Sequence, residues 1–142
     1  MKFSLATMVG SVETLTDIDV SVLRGGKGYF YLATPYTKYP GGLEAAWIVA
    51  CKLRGALMVA GVNCYSPIAE THPVSVHAGI DPTTDHEMWM RDDRPKLEAA
   101  RGLIFARLDG WWNSKGMRQE LDSCRTTDKP VIYLDAGGHC PL

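Results

Sequence analysis

Short apolar runs alternate with helix-forming segments along most of this chain, and that alternation limits the fold more than any other feature. The apolar runs are typical of strands and cover residues 29–33, 62–66, 102–108 and 130–135. Between them, residues 43–60, 85–100 and 114–127 have the composition of helices, the second one broken or restarted at Pro95. Strands that alternate with helices form parallel sheets through right-handed crossovers. The pattern therefore predicts a three-layer α/β sandwich with a central parallel sheet.

The length of the chain suits one domain. Its 142 residues can bury a core without help from disulfides or metals. We assign residues 29–142 to a single flavodoxin-like or Rossmann-like domain. Residues 1–28 are treated as an N-terminal extension of uncertain structure, whether a short strand, a hairpin or an ordered arm. Residues 69–84 form a polar stretch with two prolines, and we predict a long functional or mobile loop there.

Charge and cysteine usage exclude several classes of protein. The net charge is -1 and no basic cluster exceeds a pair, so a face for duplex nucleic acid is not expected. The four cysteines are scattered without a C-x-x-C pair, and the chain has neither a signal peptide nor an apolar run of about 18 residues. These features predict a cytoplasmic protein without a membrane segment. Histidine and cysteine spacing matches no common zinc site, so neither a metal nor a cofactor is expected.

Three polar, aromatic and glycine-rich segments directly follow predicted strands. They read "TPYTKYPGG", "SPIAETHP" and "DGWWNSKG". In parallel α/β sheets, ligands bind beyond the carboxyl ends of the strands, where such segments meet. The sequence thus predicts a site for a small planar ligand with hydroxyl or phosphate groups at that edge.

Two regions supply carboxylates to this edge. Glu120 lies in the second turn of the last predicted helix, beside its apolar stripe, so its side chain can point into the pocket or into water. The segment "WMRDD" supplies Asp93 as the first choice for a second carboxylate and Asp92 as the alternate. A helix cap before Pro95 is the plain structural interpretation of Asp93.

Uncharged side chains complete the predicted site. Ser114 and Gly116 offer a hydroxyl and free N–H groups to an anion at a helix N-terminus, although serine is also a common N-cap. Trp111 and Trp112 can stack on a base, close a subunit interface or pack in the core. The remaining polar candidates belong to the first two loops: Tyr31, Thr34, Tyr36, Glu70 and His72.

The motifs at these positions resemble a known superfamily. "YLATPY" at residues 31–36, "SPIA" at residues 66–69 and "DGWWNSKGMRQE" at residues 109–120 occur in the order found in the nucleoside 2-deoxyribosyltransferase-like superfamily. The chain is most similar to a small uncharacterised branch of it (DUF1937/DUF4406-like), and the likeness spans residues 29–135. The resemblance implies that residues 29–142 form a nucleoside 2-deoxyribosyltransferase-like domain. It also implies that the polar stretch before the "WMRDD" segment selects the base.

The resemblance also implies roles for individual residues. By position, Glu120 matches the glutamate that attacks the anomeric carbon, and Asp93 matches the aspartate that assists at the base or sugar. Transferases of this kind carry an aspartate where Ser114 stands, whereas relatives that hydrolyse nucleotides carry a serine that accommodates a 5'-phosphate. Ser114 therefore favours a nucleoside 5'-monophosphate as substrate. Such relatives are often oligomers, so a homodimer or homotetramer is expected.

Two functional hypotheses follow, and a third is kept beside them. The first is a nucleoside 5'-monophosphate N-glycosidase or deoxyribosyltransferase-like enzyme that acts through Glu120 on a small nucleoside or nucleotide, without a cofactor. The alternative is a non-catalytic module that binds a nucleotide or a nucleotide derivative on the same fold. A purely structural oligomer would neither bind such a ligand nor release a base.

Overall fold

Six strands form one mixed sheet in this protein, whose computed structural model describes residues 1–136. The strands are β1 (Lys2–Val9), β2 (Val12–Ile18), β3 (Phe30–Ala33), β4 (Cys64–Tyr65), β5 (Gly102–Arg107) and β6 (Val131–Asp135). The helices are α1 (Leu43–Val59), α2 (Pro67–Ala78), α3 (His86–Ala99) and α4 (Lys115–Thr126). The sheet order is β2-β1-β6-β5-β3-β4. Residues 137–142 of the predicted domain lie outside the described part of the chain.

Only part of the sheet is parallel. Strands β3, β4, β5 and β6 pair in parallel, as the alternation with helices predicts. Strand β1 pairs antiparallel with both β2 and β6. The chain is thus a single α/β domain, but its sheet is mixed, and a flavodoxin-like layout is not confirmed. The difference arises because residues 1–18 add a hairpin that the sequence left undefined.

Alternate positions along the central strands face different helices. Leu32, Ile104 and Ile132 pack in one apolar cluster with Leu53 and Leu57 of α1. The opposite face packs against α3 and α4, through a second cluster of Tyr31, Leu103, Phe105, Leu97, Met117 and Cys124. Because successive side chains of a strand point to opposite faces, each central strand is covered on both sides. The sheet therefore lies between α1 and the α3–α4 pair.

The N-terminal hairpin is joined to the rest of the domain by polar contacts as well as by backbone pairing. Strand β1 pairs with β6 from Lys2 opposite Asp135 to Ala6 opposite Val131. In β2, the Glu13 carboxylate accepts hydrogen bonds from Arg125 of α4 at 2.5 Å and from the Tyr133 hydroxyl at 2.9 Å. These bonds connect the hairpin to both β6 and α4.

The predicted long loop at residues 69–84 is wrong over most of its length, because α2 occupies Pro67–Ala78. Ser66 caps this helix by accepting a hydrogen bond from the backbone N–H of Ala69, and Pro67 occupies the first turn, where proline is tolerated. Pro73 has no N–H to donate to the carbonyl of Ala69, four residues earlier. The indole N–H of Trp47 donates to that carbonyl instead, at 3.3 Å. A side chain of α1 thus replaces the hydrogen-bond donor that Pro73 lacks, and α2 forms where the sequence predicted a loop.

Helix α3 is also more regular than predicted. It begins after Asp85, whose side chain accepts from the N–H of Met88, and it continues through Pro95 to Ala99 without a restart. The helix-cap interpretation of Asp93 is therefore wrong. Asp93 lies in the helix interior and is only 9% exposed.

Candidate functional site

A cavity of about 110 Å³ lies at the carboxyl ends of the parallel strands. Thr34 and Tyr36 line it after β3, Ile68 after β4, and Ser114 after β5, while α3 contributes Asp93. The three segments expected to meet at this edge of the sheet are therefore brought together. A protein cavity of about 150 Å³ holds a single benzene ring. The enclosed part of this site is smaller than that, so a ligand of nucleoside size would extend into its open mouth.

Glu120 is buried at the inner wall of this cavity and is only 7% exposed. Its Oε1 accepts a hydrogen bond of 3.0 Å from the Tyr31 hydroxyl, and its other oxygen has no hydrogen-bond partner among the described residues. Burial raises the pKa of Tyr31, and the charge of Glu120 raises it further, so the phenol keeps its proton and donates it. Glu120 is therefore directed inward and is not a solvated surface residue.

Asp93 provides a second buried carboxyl in the same cavity. Its Oδ1 is buried without a hydrogen-bond partner among the described residues. Burial raises the pKa of Asp93 to about 6, although the charge of Lys96 lowers it. Burial likewise raises the pKa of Glu120 to about 8, against the opposing hydrogen bond from Tyr31. The charge of Asp93 also disfavours ionisation of Glu120, so the two carboxyls together hold about one proton at neutral pH, and that proton lies mainly on Glu120.

The N-terminus of α4 forms another part of the wall. Ser114 is the N-cap of this helix, as predicted, and its hydroxyl accepts a hydrogen bond of 3.3 Å from the N–H of Met117. Gly116 also lines the cavity, and a Cβ added there would meet no atom within 4 Å. The first turn of α4 therefore lines the cavity, and its backbone N–H groups, apart from the capped N–H of Met117, have no partner within the helix.

Five of the predicted site residues do not line this cavity. Tyr31 and His72 contact its lining residues Glu120 and Tyr36, and the other three lie elsewhere. Glu70 is exposed and accepts a hydrogen bond from Tyr65 at 3.3 Å, and Asp92 is exposed and pairs with Lys96 at 2.8 Å. Trp111 packs edge-on against Phe105, with ring centroids 5.8 Å apart. None of the three lines the cavity of Glu120 and Asp93. Of the two adjacent tryptophans, Trp111 therefore packs against the apolar cluster that contains Met117 and Cys124 of α4.

Several cavity residues were missed at the sequence level: Pro67, Ile68, Pro82, His86, Trp89 and Met90. One signal was available for Trp89, since it lies four residues before Asp93 and such pairs share a helix face. Pro67 and Ile68 begin α2 and Pro82 lies in the turn after it, whereas His86 and Met90 belong to α3. Among residues 1–136, no three histidine, cysteine or acidic side chains are grouped to hold a metal ion. No helix in that range has the length and apolar character needed to cross a membrane.

Comparison with known families gives one assignment. The model of a family described as "Domain of unknown function (DUF1937)" matches residues 28–136, so the chain belongs to that family. A comparison with curated proteins found no match. The family match covers all the residues of the cavity and begins after the N-terminal hairpin.

Proposed function

We propose that this member of the DUF1937 family cleaves the N-glycosidic bond of a nucleoside or nucleoside 5'-monophosphate, with Glu120 as nucleophile. The observation that carries the proposal is the environment of Glu120: it is buried, held by Tyr31, free at one oxygen, and shares its cavity with Asp93. Ionisable groups with shifted pKa values in a cleft are typical of catalytic sites. The proposal places the family in the nucleoside 2-deoxyribosyltransferase-like superfamily, on the motifs at residues 31–36, 66–69 and 109–120.

The proposed reaction has two displacement steps. The ionised carboxylate of Glu120 attacks the anomeric carbon, the carbon–nitrogen bond breaks, and the departing base takes a proton from Asp93. Water, or an acceptor base in a transfer reaction, then gives its proton to Asp93 and attacks the same carbon, which releases Glu120. Two inversions retain the configuration of the sugar. The hydrogen bond from Tyr31 stabilises the ionised form of Glu120, which the first displacement step requires.

The proton shared by the two carboxyls predicts a bell-shaped pH dependence. Attack needs Glu120 ionised and departure of the base needs Asp93 protonated. Because Glu120 has the higher pKa, this is the minor form of the singly protonated pair, and it is most abundant between the two pKa values. Below about pH 6 both groups are protonated and no nucleophile remains, and above about pH 8 both are ionised and no acid remains. We expect kcat/KM for base release to be highest between these values. A rate that continues to rise through pH 9 would contradict the assignment of Asp93 as the acid.

We also propose that a 5'-phosphate lies at the N-terminus of α4. Ser114, Gly116 and Met117 at the start of this helix line the cavity, and a helix N-terminus favours an anion. Replacing Ser114 with aspartate keeps an N-cap but adds a negative charge. We expect kcat/KM to fall by about tenfold or more for 5'-monophosphates and by much less for the corresponding nucleosides. Equal losses for both substrates would refute the phosphate position.

The direct test is a search for free base. The protein is incubated with a panel of nucleosides and nucleoside 5'-monophosphates, and the products are separated by chromatography. We expect base to be released from at least one member. Measurable binding without release would favour the non-catalytic binding module, and neither binding nor release would favour a structural oligomer.

We further propose that the protein is a homodimer or homotetramer whose neighbouring subunit covers the open mouth of the cavity. Light scattering would test the oligomeric state.

A further inference from the structure

The Tyr36 side chain in the cavity wall is held from behind by a buried histidine. The Tyr36 hydroxyl lies 2.7 Å from Nδ1 of His72, and the two rings meet edge to face. His72 is 8% exposed and does not line the cavity, whereas Tyr36 does. On its other side, the imidazole stacks on Trp47 at 4.9 Å between ring centroids. His72 therefore reaches a ligand only through Tyr36.

The support behind Tyr36 comes from three separate elements. Tyr36 follows β3, Trp47 belongs to α1 and His72 to α2. The indole N–H of Trp47 bonds the carbonyl of Ala69, one turn before His72, and so fixes α1 against α2. A contact assembled from three elements defines the direction of the Tyr36 hydroxyl more closely than a loop alone would.

We infer that His72 is a positioning residue that holds the Tyr36 hydroxyl as a hydrogen-bond acceptor for a sugar hydroxyl of the ligand. The inference rests on the proposed function. Burial raises the pKa of Tyr36, so the phenol keeps its proton. The inference requires the tautomer of His72 that carries its proton on Nε2. Nδ1 then accepts the hydrogen bond from the Tyr36 hydroxyl, and the Tyr36 oxygen can only accept a hydrogen bond from a ligand.

The position of β3 indicates which part of the ligand meets Tyr36. Tyr31 of the same strand bonds Glu120, so the segment after β3 lies on the side of the nucleophile, where the sugar is attacked. Sugar hydroxyls are donors and match an acceptor. Because the 5' position is assigned to Ser114, the 2'-hydroxyl and the 3'-hydroxyl remain as the two candidate donors to Tyr36.

Three variants separate a positioning role from a packing role. Tyr36→Phe removes the hydroxyl, His72→Phe keeps a ring on Trp47 without the hydrogen bond, and His72→Asn keeps a polar group near Nδ1 without the ring. We expect Tyr36→Phe and His72→Phe each to weaken ligand binding about three- to tenfold, a range typical of one neutral hydrogen bond. His72→Asn should restore most of the affinity. In the Tyr36→Phe background, His72→Phe should add no further loss, because the two residues act as one unit.

Binding is measured by calorimetry on proteins that also carry Glu120→Gln, with ribonucleosides and their 2'-deoxy and 3'-deoxy analogues. The analogue that lacks the recognised hydroxyl should bind the Tyr36 and Tyr36→Phe proteins equally. A similar loss for every analogue, or a full additional loss in the double variant, would show that His72 only packs and would overturn the inference. If none of the nucleosides binds, the inference is overturned as well. Binding with these patterns but without base release from the parent protein would support the inference while the proposed catalysis failed.

Discussion

Replacing Glu120 with glutamine should lower the rate of base release by about 10³-fold or more, because the variant lacks the carboxylate that attacks the sugar in the proposed mechanism. Glutamine matches glutamate in size, and its amide oxygen can accept the hydrogen bond from Tyr31. The fold should therefore persist, as circular dichroism would show. Chromatography of the products gives the rate. Activity retained in this variant would remove Glu120 from the mechanism.

The same variant should be more stable than the parent protein at high pH. The raised pKa of Glu120 means that ionisation of the buried carboxyl opposes folding once the pH exceeds the ordinary value of the group. Each pKa unit corresponds to about 1.4 kcal/mol, so we expect a gain of at least about 2 kcal/mol in the free energy of unfolding at pH 9. Near pH 4 the carboxyl is neutral in either state and the gain should vanish. The matched control is Asp122→Asn, which removes a charge from an exposed position of α4.

Replacing Asp93 with asparagine should slow base release by about 10² to 10⁴-fold, the range that general acid catalysis contributes. The loss should depend on the leaving group. A purine nucleoside methylated at N7 already carries a positive charge on its base, and that base can leave without a proton. We expect the Asp93→Asn variant to lose much less activity on such a substrate than on an ordinary purine nucleoside.

The neighbouring aspartate provides the control for this experiment. Asp92 precedes Asp93, is exposed, and pairs with Lys96 outside the cavity. Asp92→Asn should change the rate by no more than about threefold, because an exposed ion pair contributes about 0–1 kcal/mol. Equal losses from the two variants, or an Asp93→Asn loss that is the same for methylated and ordinary substrates, would contradict the acid role.

The sequence predicted the parts of the fold that depend on local pattern. The four parallel strands, helices α1 and α4, and the Ser114 cap follow from apolar spacing and from one residue type at a helix start. Helix α2 was missed because Pro73 removes a backbone donor, and the replacement donor on Trp47 belongs to a distant segment. A local sequence pattern cannot indicate a hydrogen bond between two distant segments.

The candidate site was predicted in outline for a similar reason. The carboxyl edge of parallel strands follows from topology, so Thr34, Ser114 and Glu120 were expected there. Which side chains face the cavity depends on tertiary packing. Tyr31 was expected to bind substrate, but its hydroxyl bonds Glu120, and His72 lies behind Tyr36. Asp92 and Asp93 differ by one position on α3, and that step of about 100° separates a surface ion pair from a buried carboxyl.

The N-terminal hairpin has a consequence for any attempt to shorten this protein to its family region. Without residues 1–18, strand β6 would become an outer strand and would leave backbone groups from Val131 to Asp135 unpaired along the side now covered by β1. An uncovered strand of this kind, with the sequence VIYLD, is a template for association with other chains. Removing Glu13 would also take a partner from Arg125, five residues after the proposed nucleophile on the same helix. A shortened protein should therefore associate more readily, and the helix that carries Glu120 would lose a polar contact with a segment that the family region does not include.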